Sequence, residues 1–137
     1  MIENQGDDAK VLIVEDDDDV IALLVELFRQ EGFDPVVAED GLEGLVKIKT
    51  GHPDIAILDI MMPDVNGVRV LEQLFEEGDG ELPVPIIVIT GAPDAAARSR
   101  ELLGEEDVFE KPFEPSALIS RMRARLAEPA RDHHEEG

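Results

Sequence analysis

Five short apolar segments, rich in β-branched residues, recur along the chain. They span residues 11–14, 35–38, 55–58, 86–89 and 108–109. The first, third and fourth segments are apolar without alternation, which is typical of strands that are covered on both faces. The pattern therefore predicts five β-strands in a sheet whose central strands are buried.

Between these segments lie stretches in which apolar residues recur every three or four positions, as on one face of a helix. Asp40 and Glu43 match a capping box at the start of the second stretch, and Pro115 suits the first turn of the fifth. The predicted helices cover residues 20–28, 40–48, 68–75, 93–103 and 114–126.

Strands and helices thus alternate five times along the chain. Such alternation predicts an α/β fold with a doubly wound parallel sheet, right-handed crossovers and helices on both faces. We expect one domain over residues 10–127. A disordered lead over residues 1–9 and a polar tail over residues 128–137 are expected to flank it.

The amino-acid composition excludes several classes of protein. The 137 residues include 12 basic and 33 acidic side chains, for a net charge of −21, and 43% are hydrophobic, which is enough for a core. The absence of cysteine excludes disulfides and thiol chemistry. The acidic start is unlike a signal peptide, and no apolar run approaches the roughly 20 residues of a membrane helix. We therefore expect a cytoplasmic protein that neither inserts into membranes nor binds nucleic acid.

Polar side chains stand at the predicted ends of four strands. Glu15 and Asp16 follow the first strand, Asp59 the third and Thr90 the fourth, and Lys111 comes after the fifth. Because open parallel sheets bind ligands beyond the carboxyl ends of their strands, we expect these side chains to share one site. Oxygen ligands without His or Cys favour Mg²⁺, or alternatively Mn²⁺. A carboxylate in such a site can act as a nucleophile and form an acyl phosphate.

Each of these residues also has a purely structural interpretation. The acidic run over residues 16–19 suits the start of a helix. Thr90 alone is an ordinary strand end, and Lys111 alone is an ordinary surface lysine. Asp59 is harder to explain in this way, since an acid directly after four apolar residues stabilises little. It is the coincidence of acids, hydroxyl and lysine at strand ends that favours a functional site.

Four segments resemble the receiver domains of two-component response regulators. They are VLIVEDD (residues 11–17), PDIAILDIMMPDVNG (53–67), IIVITG (86–91) and KPF (111–113). The second segment is the most specific of the four. The resemblance covers residues 10–126 and implies a flavodoxin-like sheet of five parallel strands in the order 2-1-3-4-5.

The resemblance also implies a role for each residue at the strand ends. Asp59 would be the phosphoacceptor, which takes a phosphoryl group from a histidine kinase or a phosphotransfer protein. Thr90 would supply the hydroxyl that moves toward this group. Lys111 would pair with it, and the Lys111–Pro112 peptide is expected to be cis.

For the metal, the resemblance implies that Asp16 binds Mg²⁺ directly and that Glu15 binds it through water. Asp59 and the main-chain carbonyl of Met61 would complete the set. The acidic run also permits a second register, in which Asp16 and Asp17 form the acidic pair.

The sequence departs from the family pattern at several positions. The family's switch aromatic usually lies three residues before the lysine, where this chain has Val108; Phe109 follows it, and alternation should point its ring to the opposite face. Neither Met61 nor Ala92 offers a polar side chain to orient an attacking water. We therefore expect slow autodephosphorylation and no enzyme activity beyond self-catalysed phosphoryl transfer.

The resemblance implies a downstream protein partner, or a second copy, at the face formed by the fourth helix, fifth strand and fifth helix. The simpler interpretation of the arginines at 121–125 is that they complement the last helix's dipole. Three hypotheses for function remain: a phosphorylation switch, a degenerate receiver that acts as a constitutive interaction module, and a Mg²⁺-dependent phosphohydrolase. The chain would be either a stand-alone receiver or the receiver of a longer regulator.

Overall fold

The computed structural model describes residues 9–60 and 66–128, in which strands and helices alternate. The strands are β1 (Lys10–Val14), β2 (Asp34–Ala38), β3 (Ile55–Ile60), β4 (Ile86–Thr90) and β5 (Val108–Glu110). The helices are α1 (Asp18–Gln30), α2 (Gly41–Thr50), α3 (Asn66–Glu77), α4 (Pro93–Leu103) and α5 (Pro115–Ala127), with a short 3₁₀ turn at Glu105–Asp107. The expected lead and tail, apart from residues 9 and 128, lie outside the described residues.

The strands form one parallel sheet in the order β2-β1-β3-β4-β5, as the resemblance implied. After β1 the chain moves to the edge strand β2, and it then crosses back so that β3 pairs with the other side of β1. The order of strands therefore reverses at β1 and β3. In open α/β sheets the crevice at such a reversal is where ligands bind.

Two apolar layers hold the helices on the sheet. Alternate residues of each central strand face opposite sides, so Leu12 and Leu58 belong to one layer and Ile13 and Ile57 to the other. Helices α2, α3 and α4 contribute to the first layer, and α1 and α5 contribute to the second. Both faces of β1, β3 and β4 are therefore buried, which explains their unbroken apolar sequences.

The predicted helix starts and strand pattern are confirmed, with one difference at a site residue. Asp40 caps α2, because its Oδ1 accepts a hydrogen bond from Glu43 N at 2.8 Å. Strand β3, however, continues two residues past its predicted end and includes Asp59 and Ile60. The reason is the ladder with β4, which pairs Asp59 with Ile89 and Ile60 with Thr90.

Ion pairs fasten α5 to the sheet. Asp107 lies just before β5 and is almost fully buried, with 4% of its surface exposed. Arg121 Nε donates to Asp107 Oδ1 at 2.6 Å, and Arg125 Nη1 donates to Oδ2 of the same carboxylate. On the next face of α5, Arg123 pairs with Glu31, the residue that follows α1, at 2.9 Å. The α5 arginines thus have specific acidic partners in addition to any interaction with the helix dipole.

None of the helices in the described ranges is long and apolar enough to span a membrane.

We predict that Asp107→Asn destabilises the fold. The substitution keeps the shape of the side chain but removes the charge that two partly buried guanidinium groups share. Losing such charge-assisted hydrogen bonds costs about 1.5–3 kcal/mol. Urea denaturation followed by far-ultraviolet circular dichroism measures this loss.

The matched control for this prediction is Glu106→Gln. Glu106 also pairs with Arg121, at 3.3 Å, but its side chain is 78% exposed. We expect this change to alter the free energy of unfolding by less than about 0.5 kcal/mol. Equal effects of the two substitutions would contradict a special role for the buried carboxylate.

Candidate functional site

Asp59 and Lys111 form an ion pair at the carboxyl end of the sheet. The Asp59 side chain is fully buried, and Lys111 Nζ lies 2.9 Å from its Oδ1 and 3.1 Å from its Oδ2. The lysine is held in place through its backbone, because Lys111 N donates to Thr90 O at 2.8 Å. The Lys111–Pro112 peptide that follows is cis, as expected from the resemblance.

Glu15 is a second buried carboxyl beside this pair, with 2% of its surface exposed. Its Oε2 accepts a hydrogen bond from Asp17 N at 2.8 Å, whereas Oε1 has no partner among the described residues. Burial, followed by the proximity of the Asp59 carboxyl, raises the pKa of Glu15 to about 8. Two ionised carboxylates at close range repel each other, so it is unfavourable for both to be charged without a counter-charge. The site therefore favours a bound proton or a cation.

The three acids that follow β1 lie in different surroundings. Glu15 is buried, Asp16 is exposed, and Asp17 is the N-cap of α1. Asp17 Oδ1 accepts hydrogen bonds from Asp19 N at 2.9 Å and from Val20 N at 3.3 Å. This capping role occupies the Asp17 carboxylate, and it favours the register in which Glu15 and Asp16 are the acidic pair.

Thr90 is the last residue of β4 and is completely buried. Its Oγ accepts a hydrogen bond from Ala92 N at 3.0 Å, just before α4 begins. In the sheet, Thr90 lies between Ile60 of β3 and Glu110 of β5. The hydroxyl is therefore directed to the start of α4.

The switch positions have the orientations that alternation predicted. Val108 is buried in the apolar layer to which α4 contributes. Phe109 packs against the opposite layer, where its ring meets Phe113 edge-on at 5.9 Å between centroids. On the α4 side of β5, an aliphatic side chain stands where the family usually has an aromatic ring.

A family model described as the response regulator receiver domain matches residues 11–123. This chain belongs to the response regulator receiver family. The DNA-binding response regulator MtrA of Mycobacterium tuberculosis is 36% identical over 118 residues, which cover 85% of this chain and 50% of MtrA. The alkaline phosphatase synthesis transcriptional regulatory protein PhoP of Bacillus subtilis is 34% identical over 118 residues, 85% of this chain and 48% of PhoP. The chain spans about half the length of these relatives.

Solved receiver structures share the fold. The BeF3-activated N-terminal receiver domain of Klebsiella pneumoniae RstA superposes with a TM-score of 0.72 at 29% identity, covering 87% of this chain and 99% of that one. A CheY-like receiver domain protein of Methanospirillum hungatei has a TM-score of 0.70 at 26% identity, covering 93% of this chain and 98% of that one. The predicted flavodoxin-like fold is thus confirmed.

Receiver domains generally bind Mg²⁺ at the phosphorylation site, and the donors here suit that ion. Glu15 Oε1, which is buried and has no hydrogen-bond partner in the described part of the chain, and the adjacent Asp59 carboxylate offer hard oxygen ligands without nitrogen or sulfur. In the described part of the chain, however, no three His, Cys, Asp or Glu side chains are grouped so that they could hold a metal. Mg²⁺ usually keeps several waters, so fewer carboxylates suffice. Met61, the expected carbonyl ligand, lies outside the described residues.

One contact of this receiver site escaped the sequence interpretation. The hydrogen bond between Thr90 Oγ and Ala92 N links the fourth strand directly to α4. The signal was present, because a threonine two residues before such an amide is typical of a local turn that its hydroxyl caps. Gly91 lies between the two residues, and among the described residues a Cβ added there would meet only Lys111 Cβ, at 3.9 Å.

We predict that Gly91→Ala stabilises the receiver. The added methyl group has room, and the backbone at Gly91 is not in the left-handed region, so the substitution mainly restricts the unfolded chain. Such changes raise the free energy of unfolding by about 0.4–1 kcal/mol. Thermal or urea denaturation measures the gain.

Gly78→Ala is the matched control, because a Cβ there would lie 2.1 Å from Glu81 O and force the backbone to move. We expect this variant to be less stable than the wild type. A loss of stability in Gly91→Ala would show that the turn after β4 needs glycine.

Proposed function

We propose that the receiver accepts a phosphoryl group on Asp59 from a sensor histidine kinase or a phosphotransfer protein. The observation that carries the proposal is the buried Asp59 carboxylate with Lys111 Nζ 2.9 and 3.1 Å from its two oxygens, beside the unpartnered Glu15 Oε1. A lysine and two acids at the ends of three strands match the demands of phosphoryl transfer, in which positioning and charge stabilisation do most of the work.

In the proposed step, an Asp59 carboxylate oxygen forms a bond to phosphorus while the P–N bond of a phosphohistidine breaks. The leaving histidine nitrogen keeps the electron pair of that bond. Lys111 Nζ, already within hydrogen-bond distance of both Asp59 oxygens, stays close enough to hold a phosphoryl oxygen. No residue other than Asp59 changes its covalent bonds.

Mg²⁺, or alternatively Mn²⁺, would be held by Asp16, Asp59 and, through water, Glu15, together with the Met61 carbonyl. When bound, the ion neutralises negative charge on the carboxylates and on the transferring group. Glu15 supports this assignment, because its Oε1 is buried and has no partner among the described residues. The capping role of Asp17 supports Asp16 rather than Asp17 as the direct ligand.

Phosphorylation would then act on a partner. Thr90 would turn its hydroxyl from Ala92 N toward the phosphoryl group and change the surface formed by α4, β5 and α5, which we propose contacts a downstream protein or a second copy. The net charge of −21 supports a protein partner rather than nucleic acid for this span, and a cytoplasmic location belongs to the same proposal. DNA binding is named for MtrA, which is about twice as long.

One observation favours a second candidate, a degenerate receiver that binds partners without phosphorylation. Val108 occupies the switch position, so β5 itself places no aromatic ring on the side that faces α4. The complete set of Glu15, Asp59, Thr90 and Lys111 at one edge of the sheet opposes this candidate.

We predict that acetyl phosphate with Mg²⁺ adds one phosphoryl group to the protein and that Asp59→Asn abolishes the addition. The amide cannot act as the nucleophile, although it has nearly the same shape. Intact mass spectrometry detects the adduct. Following it after acetyl phosphate is removed measures its lifetime, which we expect to be long because Met61 and Ala92 cannot orient water.

Asp34→Asn is the control, since Asp34 is an exposed acid at the amino end of β2, remote from the site. It should accept the phosphoryl group like the wild type. An adduct that survives in Asp59→Asn would refute Asp59 as the acceptor. If no adduct forms and Mg²⁺ does not bind, the interaction module becomes the better hypothesis.

We predict that Asp16→Asn weakens Mg²⁺ binding by about tenfold or more, because it replaces a charged ligand with a neutral one. Asp17→Asn should leave Mg²⁺ affinity nearly unchanged, since asparagine caps helices about as well as aspartate. Isothermal titration calorimetry measures both affinities. The reverse order of the two effects would establish the other register, with Asp17 as a ligand.

A further inference from the structure

Helix α4 has little apolar anchoring to the sheet. Its buried residues are the small Ala95, Ala96 and Ser99, and the buried Ser99 Oγ has no hydrogen-bond partner among the described residues. Leu102 and Leu103, at the end of the helix, are only partly buried. No side chain caps the start of α4, where Ala92 N instead donates to Thr90 Oγ. Polar contacts therefore have a large share in holding this helix.

Arg100 supplies polar contacts that connect α4 to the last residue of β5 and to the 3₁₀ turn before this strand. Its Nη2 lies 3.1 Å from Glu110 Oε1, and its Nε lies 3.2 Å from Glu105 Oε2. Glu110 is the cross-strand neighbour of Thr90 and is followed directly by Lys111. The Arg100–Glu110 ion pair therefore connects α4 to the backbone that carries the lysine of the site.

Glu110 also lies on the side of β5 that faces α4. Residues two apart on a strand share a face, so Glu110 and Val108 are on the same side of β5, and Val108 is buried in the layer that includes α4. Val108 has no ring to transmit a movement of Thr90. The ion pair of Glu110 is a side-chain contact on this face that joins β5 to α4.

We propose that the Arg100–Glu110 ion pair is a latch that holds α4 in the unphosphorylated arrangement, with Arg100 and Glu110 as positioning residues. This inference rests on the proposed function and specifies its regulation. When Thr90 turns to the phosphoryl group, Ala92 N loses its partner, and polar contacts still hold α4 to β5 through the latch and to α3 through the Arg98–Glu72 ion pair. Releasing the latch completes the change of the surface formed by α4, β5 and α5.

A contact made in one state alone biases the equilibrium between the two states. Removing the latch should therefore favour the phosphorylated arrangement and tighten binding of beryllofluoride, an analogue of the phosphoryl group. The Arg100 and Glu110 side chains are 30% and 44% exposed, so the pair is partly screened by solvent. We expect a tightening of about two- to fivefold, the range that follows for a partly exposed ion pair.

The decisive variant is Arg100→Gln, because two explanations predict opposite results. Removing a positive charge near the site should weaken binding of an anion through space, whereas removing the latch should tighten it. Calorimetric titration with beryllofluoride and Mg²⁺ measures the affinity. Glu110→Gln should also tighten binding, and in the Arg100→Gln background it should add no further latch effect, since the two residues act through one contact.

Arg123→Gln is the matched control, because it makes the same change of charge in another ion pair, that of α5 with Glu31, the residue that follows α1. We expect it to leave the beryllofluoride affinity at the wild-type value. An unchanged or weaker affinity in Arg100→Gln would overturn the latch while leaving Asp59 phosphorylation intact. If the wild type itself fails to bind beryllofluoride, the proposed function fails, and with it the link between the latch and phosphorylation.

Amide hydrogen exchange tests whether the Arg100–Glu110 ion pair stabilises α4 in the absence of a phosphoryl group. In the free protein, Arg100→Gln and Glu110→Gln should each speed exchange along residues 93–103 by about two- to fivefold, while Arg123→Gln should not. Exchange in α1 serves as the internal reference for overall stability. Unchanged exchange in α4 would overturn the latch whatever the titrations show.

Discussion

Two carboxyl groups buried side by side beneath one ammonium group are the constraint on which the rest of this site depends. Glu15 and Asp59 are both nearly inaccessible to solvent, and Lys111 contacts only the second of them within hydrogen-bond distance. Burial and the neighbouring acid raise the pKa of Glu15 to about 8. A cation removes this conflict, and a phosphoryl group adds charge that the same cation and lysine can stabilise. The site is therefore electrostatically unfavourable without its ligands, and it suits binding of both the cation and the phosphoryl group.

The fold supplies stability that offsets the unfavourable burial of these two acids. The two acids stand at the ends of β1 and β3, where the strand order reverses, and both strands are covered by helices on either side. Apolar packing of the central strands supplies stability that does not depend on the edge. The opposed charges lie at the carboxyl edge of the sheet, where Glu15 follows β1 and Asp59 is the next-to-last residue of β3, outside the two apolar layers.

Charge also organises the opposite half of the domain. The arginines of α4 and α5 contact acids on neighbouring elements: Arg121 and Arg125 hold the buried Asp107, Arg123 holds Glu31, and Arg100 holds Glu105 and Glu110. The contacts differ in burial. The ion pairs of Asp107 are largely buried and hold α5. The Arg100–Glu110 pair is partly exposed and joins β5 to α4, a helix whose buried side chains are small. The Arg100–Glu110 latch that we propose would therefore place the rearrangement of this surface at α4.

The elements, the parallel sheet and the edge that carries the site could all be predicted from the sequence, because periodicity, caps and strand-end residues are local properties of the chain. Asp59, Thr90 and Lys111 could be placed at one edge by topology alone, since parallel strands bring their carboxyl ends together. The family motifs then supplied their expected roles. The partner of each acid, by contrast, depends on the tertiary structure. Glu15 is buried, and Asp17 caps α1. Asp107 accepts hydrogen bonds from two arginines that lie 14 and 18 residues further along the chain. These choices depend on how α1 and α5 pack on the sheet, and no pattern of neighbouring residues encodes the position of a partner brought close by packing.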